Sequence, residues 1–129
     1  MPREEVLVKL AMFEQQINQL EQQMQFIEQN VLELQELRLA LEEIEKSKEK
    51  EIYANLGKNI FIKTEIKDKN LLVDVGNRTF VKKDISETLK IVDEQLIKIN
   101  EAKKAILNKM QEIQEQTEEA VEEAQKEEK

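Results

Sequence analysis

Residues 60–66 read Ile-Phe-Ile-Lys-Thr-Glu-Ile, and this stretch decides the fold because its side chains alternate. The isoleucines and the threonine share one face, while Lys63 and Glu65 lie on the other. A period of two residues predicts a β-strand. Residues 67–70 are a polar turn, and residues 71–75 alternate in the same way. These two strands are therefore predicted to pair as a hairpin.

Two further strands are predicted beside this hairpin. Residues 76–78, Gly-Asn-Arg, supply a second turn before a strand at 79–82, and residues 52–54 supply a strand before Gly57. Short hairpins bury little alone and leave edges that pair with other chains. We interpret the region as an oligomerisation surface, and a small sheet capping a monomer remains the alternative. The candidate oligomerisation residues are Ile60, Phe61, Ile62, Ile66, Leu71, Val73, Val75 and Phe80.

An apolar seam precedes the strand region. Its members recur in steps of four and three, which predicts a coiled-coil helix. They are Val6, Leu10, Phe13, Ile17, Leu20, Met24, Ile27, Val31 and Leu34. Beyond them the seam is predicted to resume at Leu37, Leu41 and Ile44 after two consecutive steps of three. The alternative register would place Arg38 and Glu45 in the seam.

A second seam follows the strand region, and Asp84 is predicted to be the N-cap of its helix, with Glu87 three residues later. The seam residues are Ile85, Leu89, Val92, Leu96, Ile99, Lys103, Ile106, Met110, Ile113, Thr117, Ala120 and Ala124. Two seams of matching length predict an antiparallel pair. Leu41 then faces Val92, Ile27 faces Ile106, and Leu10 faces Ala124.

The predicted fold is mainly α with a small β part. A long antiparallel coiled-coil hairpin is joined by two short β-hairpins, which are expected to pair with those of other chains. We predict one domain over residues 1–129. Its parts are a coiled-coil helix at 3–50, a β-hairpin oligomerisation region at 51–83 and a second coiled-coil helix at 84–127.

Residues 6–13 carry more apolar side chains than a seam requires. Leu7, Val8, Ala11 and Met12 fall outside the seam positions and are expected to be exposed. Exposed apolar clusters mark interaction sites, and Met adapts to varied partners. We interpret the stretch as a site of contact with client or partner proteins. The alternative is an N-terminal turn buried in a larger helical assembly.

Composition excludes several functional classes. The 129 residues include no Cys, His or Trp, so the usual metal ligands and catalytic side chains are missing. We expect no enzymatic activity, no metal and no cofactor. The net charge of -8 disfavours nucleic acid as a partner, and no apolar run is long enough to cross a membrane. A soluble, cytoplasmic protein is expected.

The predicted order of a long helix, four short strands and a second long helix resembles that of an alpha-class prefoldin subunit of archaeal type. The likeness covers nearly the whole chain, and residues 56–83 carry its specificity through Asp74-Val75-Gly76 and Phe80-Val81-Lys82-Lys83. The resemblance implies an ATP-independent chaperone that binds unfolded proteins at the ends of its coiled coils. It also implies that the hairpins join those of beta-class subunits in an oligomeric β-barrel body, and that clients are delivered to a group II chaperonin. Matched onto this chain, the client-binding tip consists of Val6, Leu7, Val8, Leu10, Met12 and Phe13, with Ala120, Val121 and Ala124 opposite.

The chain departs from the family at two turns. It has Asn55-Leu56-Gly57 where the family often has Pro-Leu-Gly, and Arg78 where the family often has a second glycine. Because these turns set strand geometry, the departures bear on assembly more than on fold. A self-assembling, filament-forming subunit or a structural coiled-coil spacer is the alternative function.

Overall fold

The computed structural model describes residues 2–127 as two long helices flanking four short strands. The elements are α1 (Arg3–Lys46), β1 (Glu51–Gly57), β2 (Ile60–Glu65), β3 (Leu71–Asp74), β4 (Phe80–Lys83) and α2 (Ile85–Glu127). The predicted fold class, two long coiled-coil helices joined by two short β-hairpins, is confirmed. These residues form two compact units, one made of residues 2–32 and 96–127, the other of residues 33–95.

The two apolar seams account for the core of each unit. All predicted seam positions from Val6 to Leu34 and from Ile85 to Ala124 are buried or half-buried. Ile113, at 2% exposure, is the most deeply buried large side chain of the first unit. Leu41 and Val92 are buried in the second unit.

Contacts in the first unit show that the helices run antiparallel there. Ile27 and Ile106 line one hollow, as the predicted pairing requires. The Lys103 ammonium lies 3.9 Å from a carboxylate oxygen of Glu28. Lys103 therefore occupies a seam position while its charge reaches the edge of the helix pair.

The prediction that Leu37 continues the seam is wrong. Leu37 is 44% exposed, whereas the neighbouring Arg38 is half-buried. Arg38 Nε donates a hydrogen bond of 2.7 Å to Asp93 Oδ1 on α2, and its Nη1 donates to Glu42. The hydrogen bond to Asp93 and the charges of Asp93 and Glu42 raise the pKa of Arg38 above its usual value. A long side chain with a charged end tolerates this position because only its alkyl part lies along the seam.

Helix α1 ends at Lys46, four residues before the predicted boundary at residue 50. The Ser47 hydroxyl accepts a hydrogen bond of 3.1 Å from the Glu49 N–H, which turns the chain out of the helix. Lys69 Nζ donates to the carbonyl oxygens of Glu45 and Ser47 at 3.3 and 3.1 Å. These bonds satisfy carbonyls that a helix end otherwise leaves unpaired.

The predicted pairing of residues 60–66 with residues 71–75 is also wrong. Strand β1 pairs with β2 and β3 pairs with β4, as two separate antiparallel sheets within the described residues. The polar segment at 67–70 connects the two sheets. Its Asp68 Oδ1 accepts a hydrogen bond of 2.9 Å from the Asn70 N–H, forming a local turn instead of a hairpin loop.

Both hairpin turns are built on consecutive residues with positive φ. Lys58 and Asn59 have φ of 50° and 61° in the first turn, and Asn77 and Arg78 have 52° and 58° in the second. Two successive positive φ values are what a type I′ hairpin turn requires. The preceding glycines, at φ of 125° and 108°, adopt a backbone conformation that other residues rarely reach.

Helix α2 begins at the predicted N-cap. Asp84 Oδ1 accepts a hydrogen bond of 2.7 Å from the Glu87 N–H, so the N-cap assignment is confirmed. The hydroxyl of the buried Thr88 donates to the Asp84 carbonyl at 2.9 Å. The start of α2 is thus fixed directly after β4.

Candidate functional site

Three large apolar side chains stand exposed near the start of α1. Leu7, Val8 and Met12 are 59%, 61% and 54% exposed, and Ala11 is also exposed. We call Leu7, Val8, Ala11 and Met12 the N-terminal apolar cluster. The prediction that these four residues lie outside the seam and in solvent is confirmed.

The other candidate client-binding residues lie deeper. Val6 and Ala120 are buried in the seam, and Leu10, Phe13 and Ala124 are half-buried. Val121 of α2 is 37% exposed and lines the same hollow as Leu7. The nine candidates therefore divide into a surface part and a part that supports it from within the helix pair.

An open apolar groove runs between the helices beside this cluster. Its first part is lined by Arg3, Val6, Leu7, Leu10, Val121, Ala124 and Gln125. Its second part shares Leu10 and continues through Phe13, Glu14, Ile17, Glu21, Met110, Gln114 and Thr117. We call the whole feature the apolar groove.

The groove exists because the α2 seam carries small residues here. Thr117 lines the groove with Phe13 and Ile17, and Ala124 lines it with Val6 and Leu10, as the predicted pairing of Leu10 with Ala124 requires. The Thr117 hydroxyl donates to the Ile113 carbonyl at 2.8 Å, so its polar group is satisfied within its own helix. Small side chains fill less of the space between the helices, and the larger residues of α1 stay partly accessible.

The strands present a second apolar surface. Large exposed apolar residues of the region are Tyr53, Leu56, Ile60, Phe61, Ile62, Leu72, Val75, Phe80 and Val81. We call these nine residues the strand surface. It includes five of the eight candidate oligomerisation residues. The other three, Ile66, Leu71 and Val73, are half-buried.

Part of the predicted apolar strand face is used within the second unit. Ile66 and Leu71 line a hollow together with Ile44 of α1 and Ile52 of β1. The candidate residues came mainly from one alternating face, and Tyr53, Leu56 and Leu72, which are also exposed, were missed. Their signal was a large apolar side chain within a strand region, whatever its place in the alternation.

The first hairpin shows how the two faces differ. Ala54 lies opposite Ile62 on one face, whereas Tyr53 lies opposite Lys63 on the other. Lys63 Nζ is also 3.1 Å from a carboxylate oxygen of Glu51. One face is therefore apolar and the other mixes aromatic and charged groups.

The described residues offer no cluster of acidic side chains placed to hold a metal ion. Within residues 2–127, neither helix contains a segment apolar enough to span a membrane.

Comparison with known proteins identifies the family. The model of the family described as "Prefoldin subunit" matches residues 13–129. The chain belongs to the prefoldin family. Prefoldin subunits are chaperone components that form oligomers. The N-terminal apolar cluster and the strand surface are therefore candidate sites for contact with other proteins.

A solved prefoldin structure has the same fold. The filamentous PFD of Methanocaldococcus jannaschii, determined by cryo-EM, matches with a TM-score of 0.76 at 14% sequence identity. The match covers 89% of this chain and 97% of that chain. No curated protein matches the chain significantly.

Proposed function

We propose that this chain is an alpha-class subunit of an ATP-independent holdase that binds unfolded proteins and prevents their aggregation. The exposure of Leu7, Val8 and Met12, which lie outside the seam of α1, carries the proposal. More than half of each side chain is left uncovered by the other described residues. An unfolded segment that covers it removes apolar area from water, at about 25 cal/mol per Å².

Several copies of the cluster are required for useful affinity. One patch of four side chains holds a client weakly, but linked patches raise the effective concentration of each further contact. In this proposal, several N-terminal apolar clusters are held in one particle because the strand surface assembles with beta-class subunits or with further copies of this chain. Delivery to a group II chaperonin in the cytoplasm completes the proposed cycle.

The test is a triple substitution of the exposed residues alone. Leu7→Ser, Val8→Ser and Met12→Ser should abolish suppression of aggregation of a heat-denatured client, measured by light scattering. Phe13 is left intact because it supports the seam. The matched control is Phe26→Ser, Leu32→Ser and Leu39→Ser, which removes three exposed apolar residues elsewhere on α1. Equal activity in the two variants would contradict the proposal.

A second candidate function is supported by the strand surface. A prefoldin of the same fold is described as filamentous, and here nine large apolar residues of the strand region are exposed. Self-assembly into filaments would cover them. Light scattering and negative-stain imaging of the chain purified alone test this candidate: long particles support it, and a small discrete species that grows only with a beta-class subunit contradicts it.

A further inference from the structure

We propose that the apolar groove selects unfolded segments in which apolar residues are bracketed by Lys or Arg. This inference rests on the proposed holdase function and specifies which clients the same site takes. The groove combines an apolar floor with two carboxylates along one side.

The floor is formed by four half-buried side chains. They are Leu10, Phe13, Ile17 and Met110. Side chains of this kind favour contact with apolar groups, and Met adapts to varied shapes. The floor alone would therefore accept an apolar segment without regard to its charge.

The carboxylates of Glu14 and Glu21 add the charge preference. Both residues line the groove and both are exposed. In the part of the chain that the structure describes, neither has an ion-pair partner. By contrast, Glu28 and Glu112 in the same unit lie within 4 Å of lysines. The groove therefore carries two unneutralised negative charges.

The spacing of the two carboxylates suits an extended peptide. Seven residues along a helix correspond to about 10 Å. An extended chain advances about 3.3 Å per residue, so cations about three residues apart match both carboxylates. The intervening apolar side chains would then lie over the floor.

The net charge of the chain also favours apolar segments bracketed by Lys or Arg. The net charge of -8 attracts basic segments over distance and repels acidic ones. Arg3 lines the other end of the groove, beside Leu7, and already has an interaction partner. Among residues 2–127, the other charged residues that line the groove are Glu14 and Glu21.

The experiment uses three labelled peptides with one apolar sequence, flanked by Lys, by Gln or by Glu. Their affinities for the full chain in its purified assembly are measured by fluorescence anisotropy at low salt. Exposed ion pairs are weak individually, so we expect the Lys-flanked peptide to bind about fivefold to tenfold more tightly than the Glu-flanked one. Near 1 M salt, where the screening length is about 3 Å, the difference should largely disappear.

The variant Glu14→Gln with Glu21→Gln should remove this preference while keeping binding of the Gln-flanked peptide. Glu115→Gln with Glu122→Gln is the matched control, because it removes two exposed carboxylates of the same unit at the same spacing and away from the groove. The control should change each affinity less than twofold. Circular dichroism checks that both variants keep their helical content.

The outcomes separate the two proposals. If the unchanged protein binds all three peptides equally, the charge preference is overturned and the holdase proposal stands. Equal effects of the two double variants would also overturn it, because the preference would then come from net charge alone. If no peptide binds and aggregation is not suppressed, both proposals fail. A change in assembly mass instead of peptide affinity would make the groove a contact between copies and overturn the inference.

Discussion

The helical unit of residues 2–32 and 96–127 and the strand region of residues 51–83 bury their apolar side chains differently. In the helical unit each seam finds its partner in the same chain, and Ile113 is almost fully buried. In the strand region nine large apolar residues remain exposed, because two separate two-stranded sheets have little surface with which to cover each other. A helix pair can complete its core within one chain, whereas short hairpins of this kind need further strands. We therefore expect the helices to supply the stability of the chain and the strands to supply the contacts of its assembly.

The largest expected effect comes from charging the strand surface. Phe61→Glu combined with Phe80→Glu should dissociate the assembly, because a fully buried Phe is worth about 1.5 to 3 kcal/mol and two are lost. The association constant should fall by about a hundredfold or more, as measured by light scattering across a dilution series.

Phe26→Glu is the control for this change. Phe26 is 69% exposed, against 54% and 58% for Phe61 and Phe80, but it lies on α1 in the helical unit. It should leave the mass of the assembly unaltered. If the double strand variant assembles like the Phe26 variant, the division of roles between the two regions is wrong.

The next effect is on the helical core. Ile113→Ala should lower the free energy of unfolding by about 2 to 5 kcal/mol, since truncation of a buried large side chain leaves a cavity. Urea unfolding at a fixed protein concentration measures it, because assembly makes stability depend on concentration. Leu107→Ala, at a half-exposed position of the same helix, should have an effect below about 1 kcal/mol. Similar losses for both variants would mean that the seam is not the source of stability.

The smallest effect concerns the junction between strands and helix. Asp84→Ala removes the acceptor of the Glu87 N–H and should reduce stability by about 0.5 to 2 kcal/mol. Asp84→Ser keeps an acceptor and should retain most of that stability in thermal unfolding followed by circular dichroism. Identical melting of the two variants would show that the cap contributes nothing.

Periodic features were predictable from the sequence. The helical seams, the N-cap at Asp84 and the exposure of Leu7, Val8 and Met12 depend on residues within a few turns of one another. Spacing along the chain determines which residues share a helix face, and no distant contact is needed to decide it. The turn at Gly76 and Asn77 was predictable for the same reason, because positive φ is a local property.

Two features that depend on distant groups were predicted wrongly. The four-residue segment at 67–70 had the polarity of a hairpin turn, but the hairpin forms at Lys58 and Asn59 instead. Arg38 displaces Leu37 from the seam because Asp93, on the other helix, accepts its hydrogen bond. At such positions, the polarity or hydrophobicity of the local sequence does not decide which segment forms a turn or which residue occupies the seam.

The candidate functional site was likewise predicted only in its local features. The sequence identified the N-terminal apolar cluster through its excess of apolar residues, but it attached no role to Glu14 and Glu21. The role proposed for their carboxylates depends on the groove, which places them beside Phe13 and Met110 of facing helices. No spacing within α1 alone reveals that neighbourhood.

The sequence by itself determined that this chain is two heptad helices around a short-stranded centre, since hydrophobic period and helix caps are local properties. The tertiary structure decided which strands pair, where α1 ends and how the groove is lined. Each of these depends on hydrogen bonds or packing between residues far apart in sequence, such as those from Lys69 to the end of α1. Such contacts form when they lower the free energy of the folded chain as a whole. They cannot be predicted from a local pattern of residues.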